Sequence, residues 1–204
     1  MNKLRILGAA LLVMIASQSF GQAQFALGVK GGLNFAKFDA NDAGGSIKNK
    51  TGFHGGAFAL IKLTKIGIQP ELIYSQQGSK LKLNGQDLES NFSYVNIPVM
   101  LKFYLIAGLN LQVGPQFGFL AGAKSDGYDV AAQQFYKDRD VKSLYKKSDV
   151  TVGLGAGWDL PFGLTVDARY NLGLSKIDDD AAAAAAKNQV FQLSLGYKLI
   201  KFGK

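Results

Sequence analysis

The chain has 204 residues, 25 glycines, 4 prolines, no cysteine and a formal charge of +8. Without cysteine there is no disulfide framework and no thiolate chemistry, and glycine without a three-residue period excludes a collagen-like rod. The cations are scattered through the chain, so they point to lipid phosphates and to carboxylates within the fold rather than to nucleic acid.

Lys3 and Arg5 precede an uncharged apolar stretch from Ile6 to Ala16, and small residues follow. That stretch is too short to span a bilayer as a helix, so residues 1–23 read as a secretory signal peptide. Either Ser19-Phe20-Gly21 or Gly21-Gln22-Ala23 can precede the cleaved bond. No cysteine follows, so a lipid-modified N-terminus is not expected. Residues 24–204 then form one domain, and removing Lys3 and Arg5 lowers the charge from +8 to +6.

Eight segments alternate apolar with polar or small residues, and turn residues separate them. Side chains on a strand alternate faces, so each segment has an oily face and a face of charges, amides and glycines. The first strand, near residues 25–38, sets Leu27, Val29, Leu33 and Phe35 against Lys30, Gly32 and Asn34. A loop over residues 39–51 leads to a second strand near 52–63, with Phe53, Ala57 and Ile61 opposite His54, Phe58 and Lys62. Thr64-Lys65 turns into a third strand at 66–78, where Ile68, Leu72 and Tyr74 oppose Gln69, Glu71 and Ser75. Pro70 removes a ladder donor there, which predicts a bulge or an unusual local pairing.

Residues 80–90 read as a polar loop or an overhanging hairpin. The fourth strand, near 92–105, alternates Val95, Ile97, Val99, Leu101 and Phe103 with Tyr94, Asn96, Met100, Lys102 and Tyr104. A short turn precedes the fifth strand (109–123), with Leu111, Val113 and Phe117 outside and Asn110, Gln112 and Gln116 inside. The longest connection, residues 124–147, is charged and holds three tyrosines. The sixth strand (148–160) carries Trp158 outside and Asp159 inside. Pro161-Phe162-Gly163 turns into the seventh (164–176) with Asp167 and Arg169 inside, and the eighth runs from about 188 to 202 with Lys198 inside.

The connections alternate long and short, beginning with a long one. That asymmetry, the export signal, the even strand number and aromatics near strand ends predict an all-β, eight-stranded antiparallel up-and-down transmembrane barrel. About twelve tilted residues rise 25–30 Å, enough for the apolar band. The alternative is a soluble lipocalin-like barrel with a ligand-binding apolar interior.

Two stretches carry a resemblance. Residues 68–76 (Ile68-Gln69-Pro70-Glu71-Leu72-Ile73-Tyr74-Ser75-Gln76) and residues 94–104 resemble recognisable segments of the porin-family outer-membrane β-barrel domain. Gly28-Val29-Lys30-Gly31-Gly32-Leu33-Asn34 is similar to that family's opening strand. The resemblance implies fold and outer-membrane location, and says little about activity. One departure concerns the C-terminus. Such barrels commonly end on an aromatic read by the barrel-assembly machinery, whereas Phe202 is followed by Gly203-Lys204 and has the parity of Ser194 and Lys198, so that either a late bulge resets the face or recognition uses another residue.

An eight-stranded interior is filled by side chains, so no open pore is expected. Lys30, Lys62, Glu71, Lys102, Asp159, Asp167, Arg169 and Lys198 are predicted to form a structural plug of ion pairs, with Glu71 and Lys102 pairing across adjacent strands. His54 is the single histidine, and its predicted place is a solvated outer rim. It is the one base available for a Ser-His-acid triad with Ser46, Ser75 or Ser90, although nothing in the sequence places a serine beside it. Asp178-Asp179-Asp180 and the six alanines after them suggest a short capped helix in the last outer loop, because the spacing is not that of an EF-hand.

The sequence therefore predicts a monomeric outer-membrane barrel without catalytic residues, cofactor or metal. Its expected partners are outer-membrane lipids and lipopolysaccharide, the assembly machinery, and an extracellular ligand reached through the long loops. A narrow channel for small solutes and a lipid-modifying enzyme are the other functional readings.

Overall fold

A computed structural model describes residues 23–39, 47–83, 86–129, 134–144, 146–174 and 187–203. The strands are β1 (Ala23–Asp39), β2 (Ile47–Leu63), β3 (Ile66–Leu83), β4 (Gln86–Tyr104), β5 (Leu109–Asp129), β6 (Gln134–Asp140), β7 (Ser148–Asp159), β8 (Leu164–Gly173) and β9 (Lys187–Phe202). Each pairs antiparallel with its neighbours in the order β4-β3-β2-β1-β9-β8-β7-β5-β6, and β4 also pairs with β5. That last pairing closes a ring of eight strands, from which β6 is excluded. The expected signal peptide and the aspartate-alanine segment lie outside the described residues.

Three tight turns lie at one end of the barrel with the chain's two described termini. Thr64, Ala107, Gly108 and Gly163 have φ between 51° and 101°, the left-handed region that short β connections use. At the other end the strands overhang. β3 and β4 stay in register to Leu83↔Gln86, so residues 80–90 are a hairpin. Residues 124–147 are not an irregular loop. β5 continues to Asp129 and β6 pairs back along it, with a 3-10 turn at Lys142–Leu144. β6 is exposed along its length, so it carries no apolar alternation for a sequence reading to find. β2 likewise begins at Ile47, above the predicted start.

The two faces of the wall are opposite in character. Leu72 is 57% exposed and its neighbour Glu71 is 4% exposed; Leu111 and Gln112 show the same contrast at 52% and 3%. A water-soluble barrel hides its leucines and solvates its glutamates. This one does the reverse, as a lipid-facing wall requires. The aromatics Phe53, Tyr74, Phe103, Trp158, Phe162, Tyr170 and Tyr197 all face outward.

Pro70 sits opposite Val99 of β4 without a shift in register. Against β2, pairing runs from Phe58↔Glu71 to Ile61↔Ile68 and skips Ala59 and Leu60. The proline therefore opens a gap in one ladder and makes no bulge. β9 does contain a bulge: Leu27 pairs with Ile200 and Gly28 with Lys198, leaving Leu199 over. The extra residue resets the face. Lys198 points inward, Ile200 and Phe202 are exposed, and Phe202 stacks on Phe25 with ring centroids 6.3 Å apart. The parity of Phe202 is thus reset by one inserted residue.

Candidate functional site: the charged barrel interior

Alternation delivers two or more polar side chains from every strand of the ring to the axis. Their geometry forms one connected lattice. Lys30 of β1 lies 3.3 Å from Glu71 of β3 and 3.1 Å from Asp167 of β8. Arg169 of β8 donates to both oxygens of Glu71, at 2.8 and 3.1 Å, and to Gln112 of β5 at 3.1 Å. Gln69 donates to Glu71 at 2.9 Å, and Gln112 donates to Asp167. Lys102 of β4 bridges Asp167 and Asp159, at 3.6 and 3.3 Å. Asp159 of β7 also receives Lys198 of β9 and the Tyr104 hydroxyl, each at 2.8 Å. Lys62 of β2 is half-buried and joins through a cation–π contact, 4.0 Å above the Tyr104 ring.

Seven of the eight charged residues singled out from the sequence are therefore ion-paired in the lattice, and Lys62 sits at its margin. One expected pair is absent. Glu71 does not meet Lys102, because Lys102 pairs with Gly67 and Glu71 lies four residues further along β3, about 13 Å away. Glu71 pairs instead with residues from β1 and β8, across the lumen. Asn110, Gln112 and Tyr104 were read only as inward-facing; their part in the lattice depends on three-dimensional stagger.

His54 is not at a solvated rim. It is the eighth residue of a seventeen-residue strand and is 4% exposed. Its Nδ1 donates to Asn34 Oδ1 at 2.8 Å, and its Nε2 accepts the Ser194 hydroxyl at 2.8 Å. Gln192 also donates to Asn34 at 2.9 Å, and Asn171 to Gln192 at 2.7 Å. Ser75 stands opposite His54 across β2 and β3 and is held by Asn34 at 2.9 Å, Ser90 lies beside Ser125 at 2.9 Å, and neither is hydrogen-bonded to His54; Ser46 lies outside the described residues. Ser194-His54-Asn34 has the hydrogen-bond order of a hydrolase triad. The void beside it, about 210 Å³, admits no water-sized sphere. The inward parity of Ser194 and Asn34 was legible; their meeting at His54 was not.

Above this layer, Phe92, Tyr94, Leu120 and Ala123 form a buried apolar cluster against Val141. It narrows the lumen at the overhanging end. Among the described residues no group of three acidic or histidine side chains is placed to hold a metal.

A closed antiparallel ring, an oily exterior and an ion-paired interior define a transmembrane β-barrel. The chain belongs to the outer-membrane protein β-barrel domain family, whose sequence profile matches residues 16–179. Its location is the cell outer membrane. Among solved structures, Ail of Yersinia pestis, determined in complex with the heparin analogue sucrose octasulfate, is 16% identical with a TM-score of 0.48, covering 89% of this chain and 99% of that one. Neisserial surface protein A is 11% identical with a TM-score of 0.49, covering 86% and 97%. OprG from Pseudomonas aeruginosa is 13% identical with a TM-score of 0.42, covering 90% and 97%. No curated protein matches the chain.

Proposed function

We propose that the protein is a sealed outer-membrane barrel with a structural and surface-interaction role. Its interior lattice acts as a permanent plug, and its two overhanging hairpins face the cell exterior. The observation that carries this reading is the continuity of the lattice, whose ion pairs tie six strands across the axis from Lys30 to Lys198, with β5 joined through Gln112 and β2 through the Lys62–Tyr104 contact. Buried charges of both signs satisfy one another there, so the lumen holds no free row of like charge to conduct ions. β6, with Lys137, Asp138 and Arg139 exposed, presents charged surface beyond the bilayer, where recognition commonly resides. The short turns and both termini are assigned to the periplasm.

Planar-bilayer recording on the purified full chain tests the sealed lumen. The expected trace shows no unitary conductance steps at 100 mV in molar salt. Reproducible steps that disappear with Arg169→Met would replace the plug with a channel. Labelling of Lys137 and Arg139 in intact cells by membrane-impermeant reagents tests the orientation, and protection of both would invert it.

A further inference from the structure

The outer wall of β3, β4 and β5 carries a recess that the plug does not use. Gln76, Asn91, Ser93, Gly122 and Lys124 line about 400 Å³ there, together with the edges of Gln77 and Phe92. Cross-strand register fixes its face. Tyr74, Val95 and Phe119 form an outward row, the next row up is Gln76, Ser93 and Gly122, and Asn91 and Lys124 follow. Its depth follows from strand geometry. Phe119 is ten residues beyond Leu109 at the turn end of β5, a rise of about 25 Å along a tilted strand. That equals the height of the hydrocarbon band, so the recess opens at the level of lipid headgroups.

Chemistry narrows the occupant. Gln76 and Asn91 carry amides, Ser93 carries a hydroxyl that accepts from Tyr74 at 3.1 Å, and Lys124 carries an ammonium with no ion-pair partner among the described residues. A second cation stands beside it, since Lys142 Nζ donates to the Ala121 carbonyl at 3.0 Å. Of the carboxylates nearby, Asp140 stands opposite Lys124 across β5 and β6 and accepts from the Lys142 backbone N–H, and Asp126 accepts from the backbone N–H groups of Glu89 and Asp138. The floor is Gly122, where an added Cβ meets nothing within 4 Å. A register shift between Ser93 and Tyr94 leaves Ala121 over beside it, which widens the wall at this point. The volume exceeds a lone phosphate and lies in the range of small-molecule sites.

We infer that this recess seats the phosphorylated sugar headgroup of an outer-leaflet glycolipid, with Lys124 and Lys142 on the phosphate and Gln76, Asn91 and Ser93 on the sugar. The inference rests on the orientation given under the proposed function. Lipid specificity separates the two failures, because an inverted barrel keeps its recess but meets phospholipid instead.

The test is native mass spectrometry of the full chain released from micelles containing either lipid A or phosphatidylglycerol. Wild-type protein should retain one lipid A and little phosphatidylglycerol. Gly122→Leu fills the recess without meeting backbone, and Lys124→Gln removes the cation; each should weaken retention about tenfold. Lys201→Gln, at the opposite end of the barrel, should leave it unchanged. A heat-dependent gel shift confirms folding of every variant, and Lys124→Gln keeps the test decisive if Gly122→Leu does not assemble. Unchanged retention in Lys124→Gln overturns the inference. So does equal retention of dephosphorylated lipid A or displacement by millimolar inorganic phosphate, which would mark a site for a free anion.

Discussion

Arg169 and Glu71, 98 residues apart in sequence, face each other across the barrel axis in a two-pronged pair, Nη1 to Oε2 and Nη2 to Oε1. Neither is on a strand adjacent to the other's. The pair therefore reports the curvature of the closed ring, because a flat sheet would leave the two far apart. Lys30 and Gln69 also donate to Oε1 of Glu71, so removing that carboxylate takes the ion-pair partner from buried Arg169 and leaves Lys30 with Asp167 alone.

Glu71→Ala should lower stability by about 3–5 kcal/mol, the usual loss when one partner of a buried pair is removed. Urea unfolding in lipid vesicles, followed by tryptophan fluorescence and the heat-dependent gel shift, measures it. A loss below about 1 kcal/mol would mean that the lattice contributes little to holding the ring.

Asp159→Asn breaks the other end of the lattice, where Lys102, Lys198 and Tyr104 converge. Glu71 and Asp159 are linked through Lys30, Asp167 and Lys102, so the Glu71→Gln and Asp159→Asn losses should not add. A coupling of about 0.5–3 kcal/mol in a double-mutant cycle is expected. Strict additivity would divide the lumen into two independent clusters.

Leu72→Arg tests the direction of the wall. Leu72 lies near mid-height on the outer face, where an arginine should cost about 2–4 kcal/mol in a bilayer. Loss of the folded band in vesicles, with the same change tolerated at a periplasmic-end position such as Leu105, is the expected pattern. A neutral Leu72→Arg would place that face in water.

Deletion of Leu199 removes the inserted residue of β9. Ile200 and Phe202 would then follow Lys198 in regular alternation and keep their outward pairing with Leu27 and Phe25. The deletion should therefore assemble with the normal heat-dependent gel shift, as should Leu199→Ala. Failure of the deletion to assemble, with Leu199→Ala intact, would show that the bulge itself shapes the seam.

The sequence made the wall legible because a period of two assigns every side chain to a face without knowledge of its partners. Lys30, Glu71, Lys102, Asp159, Asp167, Arg169 and Lys198 could be grouped as interior on that ground alone. Partner choice could not be read, since it depends on how far each strand is displaced along its neighbour. Glu71 and Lys102 show this: they share a face and adjacent strands but are four residues out of step. His54 was misjudged for depth, because the polar run at residues 48–51 hid the true start of β2. The β5–β6 hairpin has no buried face, so its strands left no periodic signature. The face of Phe202 turned on whether β9 holds a late bulge, which the period alone does not reveal, and the inserted Leu199 supplies it.

β1 and β9 lie side by side, with Phe25 stacked on Phe202, so the seam joins the first described strand to the last. The ring therefore cannot close until synthesis and export of nearly the whole polypeptide are complete. Until then both margins expose unpaired peptide groups and alternate rows of oily side chains, a state prone to self-association. Passage across the periplasm consequently calls for a holding chaperone that shields the open ribbon, and loss of the final strand should yield aggregate rather than a smaller barrel.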